Sequence, residues 1–283
     1  MLLAGFDAGQ TSTRCRVCLW QEVGWQIIGE GSGPGVSHLE ASGGAERFRQ
    51  AVLTSLKSAF EGEGERRLDA AVIGASGIEQ GSALQPRATA LLADALSLPE
   101  DRVLATGDER TALRGAFPEG DGIILISGTG MICLGRDHQG KEHRCGGWGW
   151  MLDGAGSAFD LGHQGLQLTL QMADGRRPDH PLRQRMWEQL GCRGHADVKA
   201  WVVQPSRTAA DLAALAPLLV AAADAGLPAA QDILQRSAAA LVSCAATVAR
   251  ELALPQPAVA GLGGVLQHPG SVQRAVEVGI IAE

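Results

Sequence analysis

At 283 residues and 45% hydrophobic, the chain holds enough apolar material for two globular domains of ordinary size. A formal charge of −7 offers nothing general to a phosphate backbone, and no stretch of about 18 apolar residues is free of charges or glycines, so neither nucleic acid nor a membrane is an expected partner. Six cysteines, at 15, 18, 133, 145, 192 and 244, lack the dense spacing of a disulfide framework, and no basic segment precedes a long apolar one at the start, which predicts a reduced, cytoplasmic protein.

Apolar or β-branched runs that end at Gly or Asp predict strands near 2–6, 13–20, 25–31, 70–75, 102–107, 122–127, 131–136 and 257–261. Helical periodicity predicts helices near 45–60, 87–96, 157–173, 181–190, 208–225 and 228–252, the last with Pro228 in its first turn. The chain therefore reads as α/β. Its last third is richer in helix than its first, and no Pro/Ser-rich linker divides them, so a tight domain boundary is expected within 108–121. The run Arg176, Arg177, Arg183 and Arg185 reads as a solvated loop and helix face rather than an anion patch.

One pattern occurs twice. Asp7 to Thr13 (DAGQTST) separates the first two strands, and Ile126 to Gly130 (ISGTG) separates another such pair some 120 residues later. Each turn combines glycine with Thr or Ser hydroxyls and a row of backbone N–H groups, which can grip phosphate oxygens without a lysine; a P-loop would need Gly-Lys-Ser/Thr, and neither turn has it. Either turn alone reads equally well as a plain hairpin.

These two turns, TGDERTAL around Asp108, CGGWGW from Cys145 and Gly261 to Val265 (GLGGV) occur in one order across nearly the whole chain. In that order they resemble the BadF/BadG/BcrA/BcrD-type ATPase family and its N-acetylglucosamine kinase branch, within the actin, sugar kinase and heat-shock ATPase superfamily. The resemblance implies an α/β protein with two ribonuclease-H-like, actin-like ATPase domains, 1–115 and 116–283, and a nucleotide cleft between them holding ATP and Mg²⁺. It implies phosphate contacts at Gly9, Gln10, Thr11, Ser12 and Thr13 and at Ser127, Gly128, Thr129 and Gly130. Adenosine contacts are implied at Gly261, Gly263, Gly264 and Val265, and substrate contacts at Gly147, Trp148 and Asp153. A homodimer is expected by the same analogy. The family continues into a further helix after the adenosine motif, whereas this sequence stops soon after it.

The residues themselves suit those roles. Asp7 ends an apolar strand ahead of glycine, where its carboxylate can reach a hydrated Mg²⁺; a turn-capping Asp is the alternative. Asp108 follows a strand and precedes a helix-like segment, so it can orient an acceptor hydroxyl and take its proton, or simply cap the helix. Trp148 and Trp150 are a sugar-ring platform or core packing. Cys15 and Cys18 stand at an odd offset on a strand, which sends the thiols to opposite faces, and neither Cys192 with His195 nor His163 has the further ligands a metal needs.

Two functions remain: a small-molecule kinase acting on an amino sugar or related acceptor, and an ATPase that uses nucleotide state to drive a protein partner. The second branch resembles a dimer bridging an iron–sulfur cluster, for which Cys133 and Cys145 are the nearest candidates. Departures from the kinase branch bear on the acceptor. Its kinases read Gly-Asp-Glu-Gly-Ser where this chain has Asp153 to Ser157 (DGAGS), and their polar Asn residues fall at Ile132 and at Val36, beside Ser37 and His38. N-acetylglucosamine is therefore expected to be a poor acceptor.

Overall fold

The computed structural model describes residues 1–22, 24–61 and 67–282. The chain divides into two compact units, Met1–Gly115 and Ala116–Glu283. The first unit runs β1 (Leu2–Ala8), β2 (Ser12–Gln21), β3 (Gly24–Pro34), α1 (Gly44–Ala59), β4 (Ala70–Ala75), α2 (Leu84–Leu96), β5 (Val103–Thr106) and α3 (Asp108–Ala116), the last crossing the division by one residue. Its sheet has the order β3-β2-β1-β4-β5, antiparallel through the opening hairpins and parallel from β1 to β4 to β5.

Alternation decides which face of this sheet is covered. Thr13, Cys15 and Val17 on β2 turn inward while Ser12, Arg14 and Arg16 face out, as a period of two requires. On β3 the inward positions include Gly29, Gly31 and Gly33, and α1 lies directly against them. A Cβ on Gly29 would stand 2.1 Å from the Ala59 carbonyl oxygen, and one on Gly31 2.2 Å from that of Ser55. The glycine stripe is thus what lets α1 approach, and Phe48, Ala51 and Val52 on that helix fill the core beside Phe6 and Ile73.

The second unit runs β6 (Gly122–Ser127), β7 (Met131–Arg136), β8 (Glu142–Cys145), α4 (Ala158–Ala173), α5 (Pro181–Gln189), α6 (His195–Val202), α7 (Ala209–Ala213), α8 (Ala216–Asp224), α9 (Pro228–Glu251), β9 (Val259–Leu262), α10 (Gly264–Gln267) and α11 (Ser271–Ala282). Its sheet has the order β8-β7-β6-β9, with β6 and β9 parallel. Ile123, Leu125 and Cys133 from this sheet share a core with Leu161, Leu219, Leu241 and Val248 from the helices.

The helix expected over 208–225 is two helices. Pro217 has no N–H to give the preceding turn and its ring crowds that turn, so the chain breaks at Ala214 and Leu215 before α8 begins. The Ala214 carbonyl then accepts from Gln189 Nε2. Four elements lay outside the expectations: β8, α6, α10 and α11. No single described helix is long and apolar enough to cross a membrane. The arginine run is a solvated face: Arg176 pairs with Asp174, and Arg183 with Asp179 one turn before it.

Candidate active site

In each unit the predicted motifs gather at the carboxyl ends of the parallel strands, where α/β sheets present ligand sites. In the first unit Asp7 occupies the penultimate position of β1, with its side chain exposed. The turn beyond it is held from outside: the Val36 amide donates to the Gly9 carbonyl at 3.0 Å, and Gly9 N–H donates to the Ser12 carbonyl at 3.0 Å. Gly35 makes this possible, because a Cβ there would stand 2.2 Å from the Gln10 carbonyl oxygen. Thr11 and Ser12 face outward. Thr13 faces the core, fully buried, and its hydroxyl has no partner.

Asp108 lies two residues beyond β5. The Gly107 carbonyl, rather than the Asp108 side chain, receives the first amides of α3, from Arg110 at 3.1 Å and Thr111 at 3.4 Å. The Asp108 carboxylate accepts from the adjacent Glu109 amide at 3.1 Å, and its side chain also bonds that of Glu109, rather than taking an amide two or three residues into α3 as a helix cap does. Burial raises its pKa to about 7, and the nearby negative charges of Glu109 and then Asp7 push in the same direction. Glu109 is itself buried and pairs with Arg110 at 2.6 Å. A carboxyl that titrates near neutrality beside an exposed second carboxylate is suited to accept a proton.

In the second unit the turn at Ser127 to Gly130 is tied back through its carbonyls. Ala158 N–H donates to the Gly128 carbonyl at 2.8 Å and Phe159 N–H to that of Thr129 at 3.3 Å, so the start of α4 supports the turn. Ser127 Oγ, buried, donates to the Gly156 carbonyl at 2.7 Å. Asp160, which the motif reading did not single out, accepts from the Gly156 amide and from Ser237 Oγ. Its signal was present as Ser157-x-x-Asp160, a helix-start signature in which Ser157 Oγ accepts from the Asp160 amide.

The segment Gly261 to Val265, expected to contact adenosine, adjoins this turn. Gly263 has φ +84°, and a Cβ there would lie 2.3 Å from the Ser127 carbonyl oxygen, so the motif and the second turn share one backbone contact. Gly261 lies on β9, while Gly264 and Val265 open α10. Among the described residues, the amides of Gln10, Thr11, Thr129 and Gly130 donate to no protein acceptor. With outward hydroxyls beside them, these donors fit phosphate oxygens. No group of three acidic, His or Cys side chains fit to hold a metal occurs among the described residues; Asp7 alone suits a Mg²⁺ that takes its other oxygens from water and phosphate.

The loop from Cys145 carries the expected acceptor residues. Trp148 is 59% exposed with the Arg144 guanidinium 4.4 Å from its ring, and Trp150 packs on Phe159, so neither tryptophan is a core residue. Ile132 fills the space against Gly147, and the Asp153 carboxylate lies close to Gly146. Val36 is buried in the core of the first unit. Cys133 is fully buried, paired in register with Cys145 across β7 and β8, and therefore presents no thiol at a surface.

Two α/β sheets of like winding, each closing a hydroxyl-rich turn at its strand ends, define a protein with the fold of the sugar kinases. A protein of Chromobacterium violaceum assigned as an N-acetylglucosamine kinase superimposes with a TM-score of 0.76 at 28% identity, over 99% of this chain and 90% of that one. The chain belongs to the BadF/BadG/BcrA/BcrD ATPase family, which matches residues 4–279. It is 28% identical over 169 residues to the N-acetylmuramic acid/N-acetylglucosamine kinase of Clostridium acetobutylicum, covering 59% of this chain and 55% of that protein. To the N-acetyl-D-glucosamine kinase of Dictyostelium discoideum it is 32% identical over 134 residues, 47% of this chain and 42% of that protein. The chain thus spans about half the length of the curated relatives it matches.

Proposed function

We propose that the chain is a sugar kinase that consumes ATP with Mg²⁺, built as two actin-like ATPase domains, 1–115 and 116–283, with the nucleotide in the cleft between them. The observation that carries the reading is Asp108: a carboxyl at the end of a parallel strand, with a pKa raised to about 7 by burial and by Glu109 and Asp7, is a proton acceptor matched to neutral pH. The two turns with outward amides support it, as do the names of the relatives.

Bound ATP supplies the phosphoryl group that is transferred. Asp7 holds Mg²⁺ through its exposed carboxylate. Gln10, Thr11 and Ser12 from one unit and Thr129 and Gly130 from the other offer amides and hydroxyls to phosphate oxygens, with Gly9 and Gly128 shaping their turns; Thr13 and Ser127, expected as phosphate contacts, are buried and lie behind the turns instead. Gly261, Gly263, Gly264 and Val265 take the adenosine. Gly147, Trp148 and Asp153 meet the acceptor, and Asp108 aligns its hydroxyl and receives the proton. Association into a homodimer belongs to the same reading. Asp108→Asn tests it: transfer, scored as ADP release with a panel of sugars, is expected to fall by about two to four orders of magnitude with nucleotide affinity little changed. Loss of ATP affinity with transfer intact would assign Asp108 a different role.

A further inference from the structure

β8 ends at Cys145, and the two residues after it, Gly146 and Gly147, both have φ +77°. Glycine adopts this left-handed conformation at the least cost. The pair turns its carbonyls back toward the strand just left, where the Arg144 side chain meets them: Nε donates to the Gly146 carbonyl at 3.0 Å and Nη2 to the Gly147 carbonyl. On the other side β7 leaves no room for a larger residue, since a Cβ on Gly146 would stand 2.7 Å from Met131 Sδ and one on Gly147 2.9 Å from Ile132 Cδ1.

A guanidinium is flat, and the two donors used here share one of its edges. Its face is left for a ring. Arg144 Cζ lies 4.4 Å from the centre of the Trp148 ring, over one face of it, and no other aromatic ring packs on Trp148 among the described residues. Further along, Trp150 rests on Phe159, whereas Met151 and Leu152 are exposed. The segment closes through the amides of Leu152 and Asp153, which donate to the Gly149 carbonyl at 3.0 and 2.8 Å. That turn brings the Asp153 carboxylate back to within 3.4 Å of where a Gly146 Cβ would stand. A segment with few buried contacts opens at low cost unless a specific interaction holds it, and here one side chain grips both the backbone and the tryptophan.

We propose that Arg144 is the positioning residue of the loop from Gly146 to Asp153. The edge of its guanidinium fixes the two glycine carbonyls and its face backs one side of the Trp148 indole, so the opposite side of the ring is held ready for the apolar face of a sugar. The acceptor half of this statement rests on the proposed kinase reading; the loop half does not. Lysine cannot replace Arg144, because an ammonium offers neither two donors along one edge nor a plane to stack.

The test is Arg144→Lys in the full chain, read by hydrogen exchange and by kinetics. Exchange of the Leu152 and Asp153 amides is expected to quicken at least tenfold with β7 amides little changed. With the best sugar of a panel, the acceptor KM is expected to rise tenfold or more while kcat and the KM for ATP stay within threefold, a split that general loss of structure would not give. Trp148→Leu removes the ring and keeps the two carbonyl bonds, so it is expected to raise the acceptor KM as much while the two amides stay slow. Should Arg144→Lys fail to fold, by circular dichroism, Arg144→Gln takes its place. Exchange unchanged in the Arg144 variant overturns the proposal whatever the kinetics, and so does quicker exchange with the acceptor KM unaltered or an acceptor KM unmoved in Trp148→Leu. If the unaltered chain phosphorylates no sugar, the kinase reading fails, and quicker exchange in Arg144→Lys still upholds the role of Arg144 in the loop.

Discussion

Asp108 ties a folding cost to a chemical use. Its folded pKa of about 7 lies above the ordinary 3.8, so between those values the native state holds a proton that the unfolded state has released. Stability contributed by this group is full below pH 4 and is lost as pH rises toward 7, the reverse of a salt-bridged carboxylate. Asp108→Asn removes the titration. At pH 8 it is expected to raise stability by on the order of 2 kcal/mol, an advantage that shrinks to nothing near pH 4; thermal unfolding at the two pH values reads it. A stability gain that persists unchanged at pH 4 would show that packing rather than charge is responsible. A variant at the proposed proton acceptor that stabilises the fold while abolishing transfer would mark a site held under electrostatic strain.

At the scale of elements, the second turn and the segment Gly261 to Val265 form one piece because β6 and β9 are neighbours. Gly263 sits where any Cβ would strike the Ser127 carbonyl oxygen, and its positive φ is itself costly for other residues. Gly263→Ala is expected to push the two turns apart, lowering stability by about 1–3 kcal/mol and weakening ATP at least tenfold. Calorimetric titration alongside thermal unfolding separates the two effects; unchanged ATP affinity would detach the motif from the nucleotide. Legibility also varied by element. Apolar alternation made β1 and β2 plain in the sequence, and short continuous apolar runs did the same for β6 and β7. β8 was not, because Glu142, His143, Arg144 and Cys145 have no apolar period and take their strand form from pairing with β7. α11 carries Gly279 within its length, which weakens the helical signal, yet that glycine is where the helix meets Val242 of α9.

For the molecule as a whole, a ligand that binds only the folded state stabilises it by mass action, so ATP with Mg²⁺ at a hundred times its dissociation constant is expected to add about 2.7 kcal/mol. A thermal shift with ATP or ADP checks this, and no binding of either at millimolar concentration would remove the kinase reading. Acceptor choice is a second property of the assembled molecule. Val36 is packed into a core and Ile132 against Gly147, so neither position offers a hydrogen bond to a sugar hydroxyl. On the proposed reading that both positions face the acceptor, each missing hydrogen bond costs about 1 kcal/mol or more, and N-acetylglucosamine is expected to be a poor acceptor compared with a less polar one. Measured kcat/KM for N-acetylglucosamine, glucosamine and glucose decides it; a value near 10⁴ M⁻¹s⁻¹ or above for N-acetylglucosamine would overturn the expectation.

The sequence by itself determined the α/β class, the doubled hairpin, the two hydroxyl-rich turns and the strand-end position of Asp108, since each follows from local periodicity and from glycine and hydroxyl content over a few residues. It left open whether Asp108 caps a helix and whether Trp148 is buried, because both depend on which groups arrive from elsewhere in the chain. Only the tertiary structure made Gly107 the residue whose carbonyl takes the first amides of α3, half-buried Asp108 beside Glu109 and Asp7, exposed Trp148 beneath Arg144, and set Gly263 against Ser127. Burial, pKa and close backbone approach are properties of neighbours in space, and residues such as Asp108 and Glu109 acquire them only when β1 and β5 come to lie in one sheet.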